Sequence, residues 1–364
     1  MARYAAGSDR IAAVFPANIK EVYMSIQDDL QATVGALVQK GKGILAADES
    51  QPTIAKRFKA IGVESSDENR RAYRTLLLTT PGVGEFLSGV ILFEETLLQK
   101  ADEGTLLPVV AQRQGIVPGV KVDKGTVPLS GAPGDLVTQG LDGLSERLKI
   151  YKSQGARFAK WREVYPITDR NPTALGIEVN AETLARYAAV CQEQGIVPIV
   201  EPEVLLDGDH SLQRCAEATE SVLHAVFHAL HRHRVMLEYM LLKPSMVLPG
   251  KEHARKAAPE EVARETVKVL RRTVPAAVPS INFLSGGQTA EQATANLNAM
   301  NALFPQPPWE LSFSYARALQ QPVLDVWRGR PENVAAAQRV FHFRAALTGA
   351  ARRGQYRPEM ERTA

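Results

Sequence analysis

The chain has 364 residues, of which 45% are hydrophobic and 23% are charged, a composition typical of a globular protein with a large core. A formal net charge of +3, with no basic stripe interleaved with aromatic residues, argues against nucleic-acid binding, although the excess of Lys and Arg would suit a small anionic substrate. Two cysteines without a CxxC pair argue against a disulfide framework, and the lack of a signal segment or of an apolar run of about 18 residues predicts a cytoplasmic protein without a membrane span.

Short apolar segments alternate with longer amphipathic ones along the chain. After a helix at about residues 19–40, the strand candidates are Gly43–Asp48, Gly89–Phe93, Pro118–Asp123, Arg157–Arg162, Val197–Glu203, Met240–Met246, Ser280–Ser285 and Trp309–Tyr315. A helix-like segment follows each of them, which is typical of parallel strands joined by helical crossovers. Because no Pro/Gly/Ser-rich linker divides the chain, we predict an α/β fold with a single domain, a (β/α)8 TIM barrel. Its parts are an N-terminal helical extension at 1–42, the barrel at 43–354 and a short mobile tail at 355–364.

Two patterns predict where helices begin. Ser65 with Glu68 has the spacing of a capping box, in which each side chain bonds the backbone N–H of the other. Thr289 with Gln292 has the same spacing. We therefore expect one helix to start just after Ser65 and another just after Thr289.

The carboxyl ends of the predicted strands are unusually charged. In such barrels, chemistry takes place at these ends. The charged residues are Asp48, Lys121, Asp123, Lys160, Arg162, Glu201, Glu203, Lys243 and Arg317. Strand side chains alternate between two faces, so Lys160 and Arg162 share one face, which we expect to be the barrel interior. Buried charge is costly unless it is paired or used, and interior salt bridges would explain one such pair. Charges on so many strand ends favour an active site instead.

A Gly-rich turn forms a second signal. In the segment FLSGGQ, a predicted strand runs into Gly286 and Gly287 and then into a helix. Glycines let backbone N–H groups approach an anion, and the amino end of a helix favours negative charge. In many barrels phosphate binds at the loops after strands seven and eight, where Ser285, Ser314 and Arg317 stand. An ordinary turn would also contain glycines, but this position and Arg317 favour a phosphate site.

The lysines at the strand ends include a candidate nucleophile. Lys243 lies in the apolar segment MLLKP, close to the charge of Lys160. Loss of solvent and a nearby cation both favour an uncharged, nucleophilic amine. These arguments rank Lys243 first and leave Lys160 as an alternative.

Four histidines crowd into the segment HAVFHALHRHR. His224 and His228 are spaced to share one helix face, which makes a metal site conceivable. This helix runs back toward the amino end of the barrel, however, where no carboxylate-rich strand end is expected. We therefore interpret the cluster, His224, His228, His231 and His233, as a solvated helix face.

From about residue 26 to residue 354 the chain resembles the class I fructose-1,6-bisphosphate aldolases. The matching stretches are GKGILAADES, GVILFEETL, GVKVDKG, TQGLDGLSER, FAKWR, GIVPIVEPE, LLKPSM, FLSGGQ and FSYARAL. The resemblance implies a (β/α)8 barrel, a homotetramer and catalysis without a metal or other cofactor. It also implies reversible cleavage of fructose 1,6-bisphosphate in glycolysis and gluconeogenesis.

The resemblance further implies a role for individual residues. Lys243, in LLKPSM, matches the lysine that forms a Schiff base, and Asp48, in LAADES, matches the carboxylate that takes the C4-hydroxyl proton. Glu201 in VEPE matches the general acid/base for carbinolamine formation and dehydration, supported by Glu203 and Lys160. The implied ligands of the two phosphates complete the site. They are Ser285, Gly286, Gly287, Ser314, Ala316 and Arg317 at one end, and Ser50, Thr53, Arg57 and Lys121 at the other, with Arg162 as a further substrate-binding residue.

Three departures from the family pattern stand out. DESQPT replaces the more usual DESTGS, so Thr53 stands where serine is common. SYAR replaces SYGR, which adds the Cβ of Ala316 to a phosphate-binding turn. The sequence ends in ERTA and lacks the terminal tyrosine of the animal enzymes, which assists enamine protonation there.

Several alternatives stay open at the level of sequence. A related Schiff-base aldolase would act on sedoheptulose 1,7-bisphosphate or fructose 1-phosphate, but the basic residues at both ends favour a bisphosphate. A zinc-dependent aldolase is disfavoured because no histidine cluster falls at strand ends. A scaffold without activity would be expected to lose Lys243, Asp48 or Glu201, and all three are present. A secondary scaffolding role remains compatible with the sequence.

Overall fold

The computed structural model describes residues 17–363, and within that range eight parallel strands close into a barrel surrounded by helices. The strands are β1 (Gly43–Ala47), β2 (Leu87–Leu92), β3 (Val117–Lys121), β4 (Thr126–Pro128), β5 (Leu136–Thr138), β6 (Phe158–Tyr165), β7 (Val197–Val204), β8 (Leu241–Leu242), β9 (Ser280–Phe283) and β10 (Glu310–Tyr315). Strands β4 and β5 form a separate antiparallel hairpin. The other strands make the barrel, which closes where β1 pairs with β10 and β2. The α/β barrel expected from the alternating pattern is therefore confirmed.

Helices follow the barrel strands in sequence and cover the outer surface. They are α1 (Ala17–Leu37), α2 (Gln51–Ala60), α3 (Asp67–Leu78), α4 (Leu107–Arg113), α5 (Leu144–Ser153), α6 (Ala174–Glu193), α7 (Leu212–Arg232), α8 (Pro259–Thr273), α9 (Ala290–Leu303), α10 (Arg317–Trp327) and α11 (Val334–Arg352). Short 3-10 helices lie at Val83–Glu85, Glu94–Leu97, Leu237–Tyr239, Pro331–Asn333 and Pro358–Thr363. None of the helices in the described range has the length and hydropathy of a membrane span.

The barrel interior is apolar near the amino ends of the strands. Ile44, Phe158 and Leu241 point into it and pack in one cluster with Leu30 and Leu37 of α1. Helix α1 therefore closes this end of the barrel. The charged residues lie at the opposite end of the barrel, at the carboxyl ends of the strands and in the loops that follow them.

Several boundaries differ from those expected, for local chemical reasons. The sixth predicted strand, Met240–Met246, is regular only at Leu241–Leu242 because Pro244 has no N–H to continue the ladder. The N–H of Lys243 still bonds the carbonyl oxygen of Val200 at 2.8 Å, so the backbone of Lys243 remains attached to β7.

One helix start was misplaced by one residue and the other was correct. The side chain that caps α3 is Ser66, which accepts from the N–H of Asn69, and Ser65 does not cap it. The capping box of Thr289 and Gln292 at α9 is confirmed. Two consecutive serines in a polar segment offer equivalent caps, so sequence alone does not distinguish them.

Part of the tail contacts the rest of the molecule in the described range, and its expected mobility stays a prediction. Tyr356 is buried, and its hydroxyl donates to Glu361 at 3.0 Å. Glu361 also pairs with Arg344, a buried arginine of α11. The tail therefore buries one aromatic ring and pairs with one buried cation.

The histidine-rich helix α7 has the character expected for it. His224, His228 and His231 are exposed, and His233 lies 2.7 Å from Glu182 of α6.

Candidate active site

Six charged side chains converge at the carboxyl ends of the barrel strands. They are the lysines Lys121, Lys160 and Lys243 and the carboxylates Asp48, Asp123 and Glu201. All except Lys121 are less than 10% exposed. Because equal numbers of opposite charges lie next to one another, this set, which we call the charged cluster, keeps its buried ions paired. The interior orientation expected for Lys160 is correct.

Lys160 is the centre of the charged cluster. Its Nζ lies 2.7 Å from Asp48, 3.1 Å from Glu201 and 4.0 Å from Asp123. Burial alone would lower the pKa of Lys160, but these carboxylates reverse that effect and raise the pKa above its usual range. Lys160 is therefore held as a cation and is unsuited to act as a nucleophile at neutral pH.

Lys243 occupies a different environment from Lys160. It follows the short strand β8, is 3% exposed, and its Nζ lies 3.1 Å from Oε1 of Glu201. Among the described residues, Glu201 is the only carboxylate within ion-pair distance of Lys243, whereas Lys160 has several. This difference supports Lys243 over Lys160 as the amine that reacts.

Asp48 is an ionised carboxylate directly after β1. Burial would raise the pKa of Asp48, but the charges of Lys160 and Lys243 outweigh burial and hold the pKa well below its usual range. Asp48 is consequently available to accept a proton, provided that one of these cations loses its charge during the reaction.

Glu203 and Arg162 form a second pair beside the charged cluster. The Nε of Arg162 donates to Oε2 of Glu203, and both residues stand on strands that neighbour each other in the barrel. Gly286 comes so close to this pair that a Cβ there would lie 2.8 Å from Oε1 of Glu203. The absence of a side chain at Gly286 thus lets the Gly-rich turn approach the charged residues.

The loops after β9 and β10 carry the residues expected to bind one phosphate. The N–H of Ala318, in the first turn of α10, donates to Oγ of Ser285 at 3.4 Å. Oγ of Ser314 is buried and has no hydrogen-bond partner among the described residues. Arg317 starts α10 and its side chain is exposed. This end of the barrel therefore offers hydroxyl, backbone and guanidinium groups to an anion, with Ala316 as the residue before the helix.

Gly287 serves packing more directly than anion binding. It has a φ of +78°, and a Cβ at this position would lie 2.8 Å from Leu206 and 3.2 Å from Lys251. Gly287 therefore lets the turn contact the loops that follow β7 and β8. Its assignment as a phosphate ligand stays a prediction.

Of the residues expected at the other phosphate, Ser50 and Thr53 lie at the amino end of α2, Arg57 lies in its last turn and Lys121 lies on β3. Ser50 is the N-cap of α2, but its side chain does not bond a backbone N–H of the helix. Its hydroxyl lies 3.1 Å from the hydroxyl of Thr53. Lys121 donates to the carbonyl oxygen of Asp123 at 2.9 Å. Arg57 instead pairs with Glu49 in this structure.

Four residues of this region were not predicted from the sequence. Asp123 was noted at a strand end but given no role, although it pairs with Lys121 and lies 4.0 Å from Lys160. Glu49, Arg74 and Gln320 form a buried group next to Asp48. The position of Glu49 beside Asp48 was a usable signal. Nothing in the sequence indicated that Arg74 and Gln320 come from distant segments to meet it.

The chain is similar to known proteins over most of its length. A family model described as fructose-bisphosphate aldolase class-I matches residues 29–364. A cytosolic fructose-bisphosphate aldolase 6 of Arabidopsis thaliana is 56% identical over 330 residues, covering 91% of this chain and 92% of that protein. A non-muscle fructose-bisphosphate aldolase of Lethenteron camtschaticum is 53% identical over 349 residues, covering 96% and 95%.

A solved structure shares the fold. The fructose-bisphosphate aldolase of Plasmodium falciparum, crystallised with TRAP and a small-molecule inhibitor, is 50% identical and superposes with a TM-score of 0.90. The match covers 94% of this chain and 97% of that one. The similarity therefore includes the barrel and the loops that carry the charged cluster.

Proposed function

Since this chain belongs to the class-I fructose-bisphosphate aldolase family and is a lyase, we propose that it cleaves fructose 1,6-bisphosphate through a Schiff base on Lys243. The products are dihydroxyacetone phosphate and glyceraldehyde 3-phosphate, the reaction is reversible, and its place is glycolysis and gluconeogenesis. The observation that carries the assignment of the nucleophile is the contact of Lys243 with Glu201 at 3.1 Å, beside a lysine that is held as a cation.

The first stage joins the substrate to the enzyme. The free amine of Lys243 attacks the C2 ketone and forms a carbinolamine. Glu201 supports this stage because its two oxygens lie 3.1 Å from Lys243 and 3.1 Å from Lys160. From that position Glu201 can accept the proton that Lys243 loses when its amine is freed, and can return this proton to the departing hydroxyl, so that water leaves and a protonated imine remains. Lys160 keeps a positive charge next to Glu201 throughout.

The second stage breaks the C3–C4 bond. The electron pair of this bond moves to the protonated imine, which becomes a neutral enamine, while the proton of the C4 hydroxyl passes to Asp48. The pKa of Asp48 is raised by burial and lowered by the charges of Lys160 and, less strongly, Lys243. When the charge on the nitrogen of Lys243 disappears, one of these two cations is lost. Asp48 becomes a stronger base at the moment it receives the proton. Glyceraldehyde 3-phosphate leaves, C3 takes up one proton while Asp48 gives one up, and hydrolysis of the imine releases dihydroxyacetone phosphate and restores Lys243.

Basic and hydroxyl groups at both ends of the charged cluster support a bisphosphate substrate. Ser285, Gly286, Ser314 and Arg317 would hold the 1-phosphate, together with the N–H groups at Ala316 and Gly287. At the other end, Ser50, Thr53 and Lys121 would hold the 6-phosphate, with Arg57 recruited from Glu49. Arg162 would lie between them, paired with Glu203. Sedoheptulose 1,7-bisphosphate has the same two ends and is the alternative substrate that this arrangement favours.

The cellular form of the enzyme is part of the same proposal. We place the protein in the cytoplasm, as several relatives are named cytosolic or cytoplasmic, and expect a homotetramer. We also treat residues 1–364 as a single domain built on the barrel.

Cleavage should continue in the presence of excess EDTA. The protonated imine accepts the electrons of the broken bond, which is the role that a metal plays in metal-dependent aldolases. The measurement is the initial rate on fructose 1,6-bisphosphate with and without chelator, after prolonged dialysis against EDTA. A rate that falls to zero with EDTA and returns with zinc would contradict the Schiff-base mechanism.

Changing Arg317 to alanine should raise KM for fructose 1,6-bisphosphate by about tenfold or more, equivalent to about 1.4 kcal/mol. A guanidinium gives phosphate two parallel charge-assisted hydrogen bonds, which alanine cannot supply. Arg317→Lys is the matched control, because it keeps the positive charge but cannot make the two parallel hydrogen bonds. Its KM should lie between that of the unchanged enzyme and that of Arg317→Ala. An unchanged KM in Arg317→Ala would show that phosphate binds elsewhere.

A further inference from the structure

Glu49 is a buried carboxylate next to Asp48 that has no part in the steps described above. Its side chain is 3% exposed, and three side chains donate hydrogen bonds to it. Arg57 and Gln320 donate to Oε1, the latter at 2.8 Å, and Arg74 donates to Oε2 at 2.5 Å. Burial would raise the pKa of Glu49, but Arg57 and Arg74 together lower it, so Glu49 is ionised.

The three donors of Glu49 differ in how firmly they are fixed. The side chain of Arg74, on α3, is 4% exposed. Gln320, on α10, is fully buried and also donates to the carbonyl oxygen of Ala46 at 2.7 Å. Arg57, on α2, is 16% exposed and stands on the helix whose amino end carries the Ser50 and Thr53 hydroxyls. Arg57 is the donor that can leave without disturbing the core.

We propose that Glu49 is a positioning and specificity residue, which holds Arg57 in the substrate-free enzyme and releases it to the substrate phosphate farther from Lys243. This inference rests on the proposed function, in which Ser50, Thr53 and Arg57 meet that phosphate. Glu49 and the phosphate then compete for one guanidinium. A phosphate dianion succeeds in this competition, whereas a substrate without that phosphate leaves Arg57 on Glu49.

Release of Arg57 does not leave Glu49 as an unpaired buried ion. A carboxylate that loses its sole partner in a protein interior would be strongly destabilised. Glu49 keeps Arg74 and Gln320 on separate oxygens. In addition, NH1 of Arg74 is buried and has no hydrogen-bond partner among the described residues. This nitrogen could donate to Glu49 in place of Arg57. The arrangement therefore lets Arg57 move between two anions.

The test measures binding of hexitol 1,6-bisphosphate, which carries both phosphates but lacks the carbonyl that reacts with Lys243. In Glu49→Gln, Arg57 no longer has to leave a carboxylate, so Kd measured by calorimetry should fall about tenfold. Glu49→Asp keeps the negative charge that pairs with Arg74, but its side chain is shorter by one methylene and therefore holds Arg57 less closely. Kd should fall by a smaller factor than in Glu49→Gln. Thermal unfolding of each variant verifies that the barrel is folded, and Glu49→Asp serves if Glu49→Gln does not fold.

A double-mutant cycle with Arg57→Ala decides whether Glu49 acts through Arg57. In the Arg57→Ala background, Glu49→Gln should change Kd by less than about twofold, because the guanidinium that it releases is absent. An unchanged or higher Kd in both single variants of Glu49 would overturn the inference. If Arg57→Ala itself leaves Kd unchanged, Arg57 is not a phosphate ligand, and the proposed phosphate site fails with the inference.

The value of kcat/KM for fructose 1-phosphate separates specificity from general damage. Productive binding of this substrate places its phosphate at Ser285 and Arg317 and leaves the Arg57 end empty. We expect Glu49→Gln to raise the ratio of kcat/KM for the bisphosphate to that for fructose 1-phosphate by about tenfold. Equal losses for both substrates would show that Glu49 only supports the structure around Asp48, and would refute a role in specificity.

Discussion

Changing Lys243 to methionine is expected to abolish both cleavage of fructose 1,6-bisphosphate and borohydride-dependent labelling of the chain. Methionine keeps the length and apolar stem of the side chain but has no amine to attack the ketone. The rate should fall by a factor on the order of 10⁵ or more, about 7 kcal/mol of barrier, as expected when the group that forms the covalent intermediate is lost. The measurements are the initial rate and the mass of the chain after incubation with dihydroxyacetone phosphate and borohydride.

Borohydride converts the imine into a stable secondary amine, so the site of labelling can be located by peptide mapping. The labelled peptide should contain Leu241, Leu242, Lys243 and Pro244. Lys149→Met is the matched control, because Lys149 is an exposed lysine of α5 paired with Glu146, and this variant should label fully. A label on Lys160 or Lys121 would refute the choice of nucleophile and leave the barrel assignment intact. Turnover without labelling of any lysine would refute covalent catalysis.

The fold was predictable because its signals are local. Parallel strands such as β1 and β2 are buried along their whole length, so each appears in the sequence as a short continuous apolar segment. Alternation of such segments with helical ones is enough to indicate a barrel when no linker intervenes. Boundaries were less predictable where single residues decide them, as at Pro244, which shortens β8, and at Ser65 and Ser66.

The catalytic candidates were predictable for a related reason. Charged residues at strand ends are conspicuous after apolar strands, and a barrel directs all of them to one place, so Asp48, Lys160 and Glu201 could be grouped before any contact was known. The preference for Lys243 over Lys160 rested on its apolar neighbours. The structure adds a stronger reason, since three carboxylates surround Lys160.

Residues that act through partners distant in the sequence could not be predicted. Glu49 meets Arg74 and Gln320, which lie 25 and 271 residues away along the chain. No periodicity or spacing relates such residues, because their meeting depends on how α3 and α10 pack on the barrel. The contact of the tail with the barrel could not be predicted for the same reason, since the buried cation Arg344 that pairs with Glu361 belongs to a different helix.

Changing Asp48 to asparagine should separate imine formation from bond cleavage. Asparagine has nearly the shape of aspartate and can still accept a hydrogen bond from Lys160, which lies 2.7 Å from Asp48. It cannot take the proton of the C4 hydroxyl, however, so cleavage should fall about 10³-fold, the usual contribution of a general base. Labelling with dihydroxyacetone phosphate and borohydride should persist, because Lys243 and Glu201 are unchanged.

Asp123→Asn is the matched control for Asp48→Asn, because it makes the same chemical change in the same charged cluster. Asp123 lies 4.0 Å from Lys160 and pairs with Lys121, but it has no proposed part in proton transfer. If the loss in Asp48→Asn came only from removing a negative charge near Lys160, the two variants would be impaired alike. If Asp48 is the base, cleavage by Asp48→Asn should be slower by at least about tenfold than cleavage by Asp123→Asn. Loss of labelling in Asp48→Asn would instead place Asp48 before the imine, and the proposed order of steps would be wrong.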